Sequence, residues 1–186
     1  GVKVRAAILW EQGHQPHEHG PLVVEEVDLD GPGPGELLVR ITAAGLCHSD
    51  LSAITGDRPR TMPAVIGHEA TGVVEDVGAG VDGLAVGDRV VMVFVASCGQ
   101  CAFCASGRPN LCQSSWSART AGTLQTGSRR LSIDGRSLHH YSGISAFAER
   151  AVVVPSSVVR IDPDVPPEVA AIFGCAVITG VGAVVN

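Results

Sequence analysis

Four of the six cysteines, Cys98, Cys101, Cys104 and Cys112, fall within fifteen positions of a chain of 186 residues. Their spacing, x2, x2 and x7, brings four soft ligands from one short segment to a common centre. A tetrahedral zinc ion suits that set, bound by four thiolates at about 2.3 Å. An iron–sulfur cluster is the competing interpretation; the lack of a second cysteine run and of a following Cys-Pro weighs against it. Four thiolates fill every position on zinc and exclude water, so this ion is expected to be structural. It would fold a loop with too few apolar residues to fold itself. Backbone N–H groups, those of Gly99 and Gly107 among them, are expected to offset the surplus charge on sulfur.

The two remaining cysteines point to a second site. Cys47 lies in Gly45-Leu46-Cys47-His48-Ser49-Asp50, His68 in Gly67-His68-Glu69, and Cys175 far downstream. Two thiolates and one neutral imidazole cancel the zinc charge and leave one position for water or substrate. Three protein ligands with an open position is the pattern of catalytic zinc. Two zinc ions are therefore expected, one structural and one catalytic.

Composition narrows the function further. Hydrophobic residues make up 45% and charged residues 17%, enough apolar material for a packed core. The formal charge of −6, with no basic block, argues against a nucleic-acid partner. No apolar run approaches a membrane span, and the N-terminus does not read as a secretory signal. A cytoplasmic protein without a membrane partner is expected. His139-His140 is expected to serve in structural hydrogen bonding. The three histidines of the loop 13–20 are expected to be exposed and polar.

Short runs of β-branched residues, bounded by glycine, proline or aspartate, predict strands at 3–9, 22–27, 36–43, 70–77, 88–95, 145–154 and 158–161. Two short helices are expected, one over 47–54 with Cys47, Leu51 and Ile54 on one face, the other after Cys101. The fold class is mainly β, a partly open barrel with short helices and a zinc lobe. Past the proline-rich stretch 162–167 the character changes. Pro167 suits a first helical turn, and 168–173 and 175–186 read as apolar helices. The second ends uncapped at Asn186, which reads as truncation. Domains are expected at 1–163 and 164–186. The formal Gly-x-Gly-x-x-Gly at Gly78–Gly83 reads as a strand-to-strand turn, because a dinucleotide fingerprint must open a helix. Gly180-Val181-Gly182 is incomplete as a cofactor loop. The sequence as given is thus expected not to bind NAD properly, and to self-associate through its apolar helices.

Over essentially its whole length the chain resembles the zinc-dependent medium-chain alcohol dehydrogenases. Gly67-His68-Glu69-x2-Gly72-x5-Gly78-x2-Val81 matches that family's zinc signature. Gly122-Thr123-Leu124-Gln125, His139-His140 and Gly174-Cys175-x3-Thr179-Gly180 resemble its liver-type and formaldehyde-dehydrogenase branch. The resemblance implies a GroES-like barrel ending, over 164–186, in the first helices of a truncated Rossmann domain, with Cys47, His68 and Cys175 on the catalytic zinc and NAD or NADP as hydride acceptor. It also implies that Asp50 orients a ligand, that Glu69 acts behind the ligands or approaches the metal, and that Ser49 accepts the alcohol proton. His48 would contact the cofactor pyrophosphate, Thr179 would lie near the nicotinamide, and Phe94 would line the substrate pocket. The partner would be a small alcohol or aldehyde, and the enzyme a homo-oligomer. Position 52 departs from the liver type: Ser52 stands where a histidine relays the proton to solvent. A thiol-adduct formaldehyde dehydrogenase is a near alternative, weakened because Gln113-Ser114-Ser115-Trp116 carries no arginine, although Arg119 follows. A non-catalytic zinc module is the alternative from another class.

Overall fold

Alternation of apolar residues builds the first sheet: in Val2–Leu9 the side chains of Val4, Ala6 and Ile8 turn inward and are buried. The computed structural model describes residues 1–13 and 21–185. The three histidines expected to be exposed, His14, His17 and His19, lie outside the described residues. In chain order the strands and α-helices are β1 (Val2–Leu9), β2 (Leu22–Leu29), β3 (Leu37–Ala44), α1 (His48–Thr55), β4 (Ala64–Val65), β5 (Ala70–Val77) and β6 (Arg89–Met92). Then come α2 (Ala102–Ala105), α3 (Gln113–Ala121), β7 (Leu131–Ile133), β8 (Arg136–Ser137), β9 (His139–His140), β10 (Arg150–Val153), β11 (Val158–Arg160), α4 (Pro167–Ala171) and α5 (Ala176–Val185).

Two sheets result, in the orders β8-β7-β2-β1-β4-β9 and β10-β3-β5-β6-β11. β1 and β2 pair antiparallel along their full length, Val2 opposite Leu29 through Leu9 opposite Leu22. The segment just before β10 stitches the sheets into a nearly closed barrel. Ala7 N donates to Phe147 O at 2.7 Å, Glu149 N to Arg5 O at 3.0 Å, and Ile41 N to Glu149 O at 3.0 Å. One apolar cluster joins Val4, Ile8, Leu29, Leu131 and Val152; another joins Leu37, Val39, Val90, Met92 and Val153. Each such side chain contributes about 1.5–3 kcal/mol on full burial.

Several expectations are corrected. The strand expected over 145–154 shortens to β10, because Ile144 N and Ser145 N both bond to Tyr141 O in a tight turn. The strand expected over 88–95 ends at Met92. β4, β7, β8, β9 and α3 were not anticipated. α1 does form, with Cys47 as its N-cap, but Asp50 and Ala53 form its buried face while Leu51 is half exposed. The Gly78–Gly83 segment connects the antiparallel strands β5 and β6 and opens no helix, as expected. Among the described residues no single helix is long and apolar enough to cross a membrane.

After β11 the chain turns at Pro167, the first residue of α4, which buries Ala170 and Ala171 and packs against β3 and β5. A 3-10 turn, Ile172–Gly174, then delivers Cys175 to the barrel, and α5 leads away with Val184 85% exposed.

Candidate metal centres

Cys47, His68 and Cys175 come together although they stand on three separate segments. Their ligand atoms all lie within 4.8 Å of one another. Cys47 Sγ and Cys175 Sγ are 3.9 Å apart. Two sulfurs at about 2.3 Å from a tetrahedral zinc are separated by about 3.8 Å, so the spacing fits a shared ion. It is far too long for a disulfide, whose S–S bond is about 2.05 Å.

Asp50 fixes two of the three ligands at once. Its Oδ2 accepts the Cys47 backbone N–H at 3.1 Å, and its Oδ1 lies 2.9 Å from His68 Nδ1. That contact engages Nδ1 and leaves Nε2 as the metal-facing nitrogen. Burial alone would push the His68 imidazole down, but the Asp50 hydrogen bond and charge outweigh it and raise the pKa. Gly67, just before the ligand, has φ 91°, and a Cβ there would collide with Phe147. The strand-to-ligand turn therefore requires glycine.

Glu69 ties down the third ligand. Its Oε2 accepts the Ala176 backbone N–H at 2.8 Å, at the first residue of α5 and one position past Cys175. Burial first, then neighbouring Cys47 and Glu69, pushes the Cys175 thiol up to about 12. Burial also opposes ionisation of Cys47, yet the Ser49 N–H and hydroxyl, together with His68, bring its pKa down. A bound dication favours the thiolate form of both.

These ligands open onto a cavity of about 690 Å³. Ser49, Phe94 and Thr179 line it. Phe94 meets the His68 ring edge-on at 5.5 Å. Asp50 and Glu69 stand behind the ligands rather than in the cavity. His48 is exposed on α1, outside the cavity lining, with Nδ1 3.4 Å from Ser52 Oγ. Several cavity residues had no signal in the sequence. Tyr141 reaches the His68 ring at 5.8 Å and donates its hydroxyl to Ser49 O at 3.0 Å. Arg58 and Arg60 also line the wall, beside Arg119, the arginine noted in the sequence after the lobe.

The four-cysteine lobe forms the second group of ligands that fits a metal. Cys101 Sγ and Cys104 Sγ are 3.5 Å apart, Cys98 N donates to Cys112 Sγ at 3.3 Å, and Cys101 N to Cys98 Sγ at 3.4 Å. The Gln125 side chain adds a contact to Cys112 Sγ at 3.7 Å. Backbone N–H groups bring Cys101 down to about 6, while burial and its Cys101 neighbour push Cys104 up to about 11. The Gly99 N–H favours the Cys104 thiolate, as expected. Gly107 does not serve that purpose, since its N–H bonds to Cys104 O. Of the histidine pair, His140 is buried and bonds as expected, accepting the Arg130 N–H through Nε2 at 3.2 Å. His139 departs from expectation, for its buried Nδ1 has no hydrogen-bond partner.

Comparison with known proteins places this geometry. A family model described as the alcohol dehydrogenase GroES-like domain matches residues 33–163. An S-(hydroxymethyl)glutathione dehydrogenase of Synechocystis is 41% identical over 186 residues, covering all of this chain and 49% of the relative. A putative alcohol dehydrogenase D of Mycobacterium tuberculosis is 45% identical over 185 residues, covering 100% and 48%. The crystal structure of an alcohol dehydrogenase zinc-binding domain protein from Burkholderia ambifaria superposes with a TM-score of 0.89 at 36% identity, covering 100% and 49%. The chain spans about half the length of the curated relatives it matches.

Proposed function

Because this chain belongs to the alcohol dehydrogenase family through its GroES-like domain, we propose that it carries the metal-binding, substrate-binding part of a zinc alcohol dehydrogenase. The reaction is reversible oxidation of an alcohol to an aldehyde or ketone. Residues 1–163 form the catalytic domain, and 164–186 begin the cofactor-binding domain. One observation carries the proposal: three convergent metal ligands, with no fourth among the described residues, face a cavity large enough for a small alcohol.

Cys47, His68 and Cys175 hold a zinc ion, which supplies a Lewis acid that lowers the pKa of the alcohol, while NAD or NADP supplies the hydride acceptor. The chain's own residues do the rest. Ser49 accepts the alcohol proton, with its backbone held by the Tyr141 hydroxyl. Asp50 holds the His68 tautomer and the entry to α1 together. Phe94 packs on the His68 ring and limits the substrate's apolar flank. Ser52 and His48, in contact on α1, offer a proton exit where the liver type has a histidine. The lobe holds a second zinc and shapes the wall that carries α3.

The test is metal content and cobalt(II) absorption of the chain and of Cys47→Ser. Two ions per chain are expected, falling to one in the variant, with loss of the thiolate band of the open site. Two ions retained by the variant would remove the basis for the assignment. A second form of the reaction, oxidation of a thiol adduct of formaldehyde, draws support from the Synechocystis relative's name and from Arg119 in the cavity wall.

A further inference from the structure

β6 meets the segment that delivers Cys175 at both ends of that segment. At the far end the Met92 carbonyl oxygen lies so close to Gly174 that a Cβ there would collide with it. At the near end Arg89, the half-buried first residue of β6, reaches across to the proline-rich connection 162–167. Its guanidinium donates to Pro163 O through Nη1 and to Val165 O through Nη2, the latter at 3.0 Å.

The connection Asp162-Pro163-Asp164-Val165-Pro166-Pro167 has few means of holding itself in place. Its prolines carry no N–H, and Val165, standing before Pro166, is biased away from the helical region. The N–H groups it does have are used inside the segment. Asp164 N donates to Asp162 Oδ1 at 2.9 Å, and Val165 N to Asp162 O at 3.2 Å. The last ladder bond to the barrel is Ile161 N to Arg89 O at 2.9 Å. From Asp162 to Gly174, the hydrogen bonds that reach the barrel are, among the described residues, the two from Arg89. α4 adds burial of Ala170 and Ala171. Apolar burial is non-directional, so it fixes the depth of α4 better than its angle. A planar fork that grips two carbonyls two positions apart does fix an angle.

We infer that Arg89 is a positioning residue for the open metal site. By holding Pro163 and Val165 it sets the course of the chain through α4, and so the place of Cys175 beside Cys47 and His68. The inference rests on the proposed role of Cys175 as a metal ligand. Arg89 is not one of the ligands and lies outside the cavity lining, so it acts through the connection alone. Glu69 and Gly174, by contrast, hold Cys175 at its immediate neighbours.

Arg89→Met keeps most of the stem and removes both donors. Competition with a chromophoric chelator is expected to show the open site weakened about tenfold, the worth of one charge-assisted hydrogen bond, with the lobe unchanged. Arg89→Lys offers a point charge in place of a fork and should lose about threefold. Arg160→Met, which removes the neighbouring ion pair with Asp88, should leave both sites at wild-type affinity. Cobalt(II) absorption reports on the ligand itself. In Arg89→Met the thiolate band of the open site should fall in part as Cys175 withdraws, while the contribution of Cys47 stays. A purely structural role would lower the urea midpoint and leave affinity and band unchanged, and that result would overturn the inference. So would an equal loss at both sites, or the same loss in Arg160→Met. Should Arg89→Met not unfold cooperatively, the lysine variant decides, and wild-type affinity there would overturn the inference. A wild-type chain without a Cys47-dependent band refutes the metal reading on which the inference rests. A normal wild-type band with undiminished affinity in Arg89→Met refutes the role of Arg89 alone.

Discussion

Glu69 and Ala176, 107 positions apart, are joined by a 2.8 Å hydrogen bond from the Ala176 backbone N–H to Glu69 Oε2. Each adjoins a metal ligand, His68 on one side and Cys175 on the other. The bond gives a buried carboxylate a donor at the start of α5, where the helix dipole also favours negative charge. It thereby locks the late-arriving ligand to the early one. Glu69→Ala is expected to lower metal affinity at the open site by roughly 10–100-fold, the usual cost of losing a group that orients a ligand. The lobe should keep its ion. Competition with a chromophoric chelator measures this, and wild-type affinity in the variant would contradict it.

Both metal groups were legible in the sequence because cysteine spacing is a direct statement of chemistry: Cys98 to Cys112 are local, and Cys47 and Cys175 were left over. β5 was legible to the residue because its β-branched run is bounded cleanly. α3 was not, since Gln113-Ser114-Ser115-Trp116-Ser117 lacks an apolar stripe. It forms because Ser115 and Ala118 bury against the barrel and Gly122 ends the helix in a left-handed conformation. The face of α1 was misjudged for the opposite reason. Leu51 and Ile54 suggested an apolar stripe, but the demand for a carboxylate behind His68 turns Asp50 inward. Tyr141, Arg58 and Arg60 reach the cavity from loops, and no periodicity announces that convergence.

Metal release is expected in two phases, with the open site emptying first. The lobe ligands span a short segment, so binding there closes small loops at low entropic cost. The open site joins Cys47 to Cys175 across 128 positions. Titration with a chelator, with each phase assigned through Cys98→Ser and Cys47→Ser, measures the order. Loss of the lobe ion first would contradict this account.

His140 should make stability depend on mildly acidic pH. Burial holds its pKa at about 4, against an ordinary value of 6.5. The unfolded chain therefore binds this proton first as pH falls, and stability rises with pH across that window. The contribution is complete above about 6.5 and is lost progressively as pH falls toward about 4. Its slope approaches about 1.4 kcal/mol per pH unit. Urea midpoints at several pH values, in wild type and His140→Asn with saturating zinc, isolate the effect. The variant should show the shallower dependence; identical slopes would remove His140 as the cause.

Gly174 should be irreplaceable for the third ligand while dispensable for the barrel. A Cβ at this position would fall well inside the van der Waals radius of the Met92 carbonyl oxygen. Met92 cannot yield, because β6 holds it between Ala70 on one side and Val158 on the other. The 3-10 turn must therefore move, carrying Cys175 away from Cys47 and His68. Gly174→Ala is expected to cost about 1–3 kcal/mol, as overpacking against backbone does. More tellingly, metal content should fall from two ions per chain to one, with the lobe intact and the barrel still folding cooperatively. Metal analysis after desalting, paired with thermal unfolding, tests both parts. Full loading with unchanged affinity would mean that Cys175 is placed by something other than this close approach.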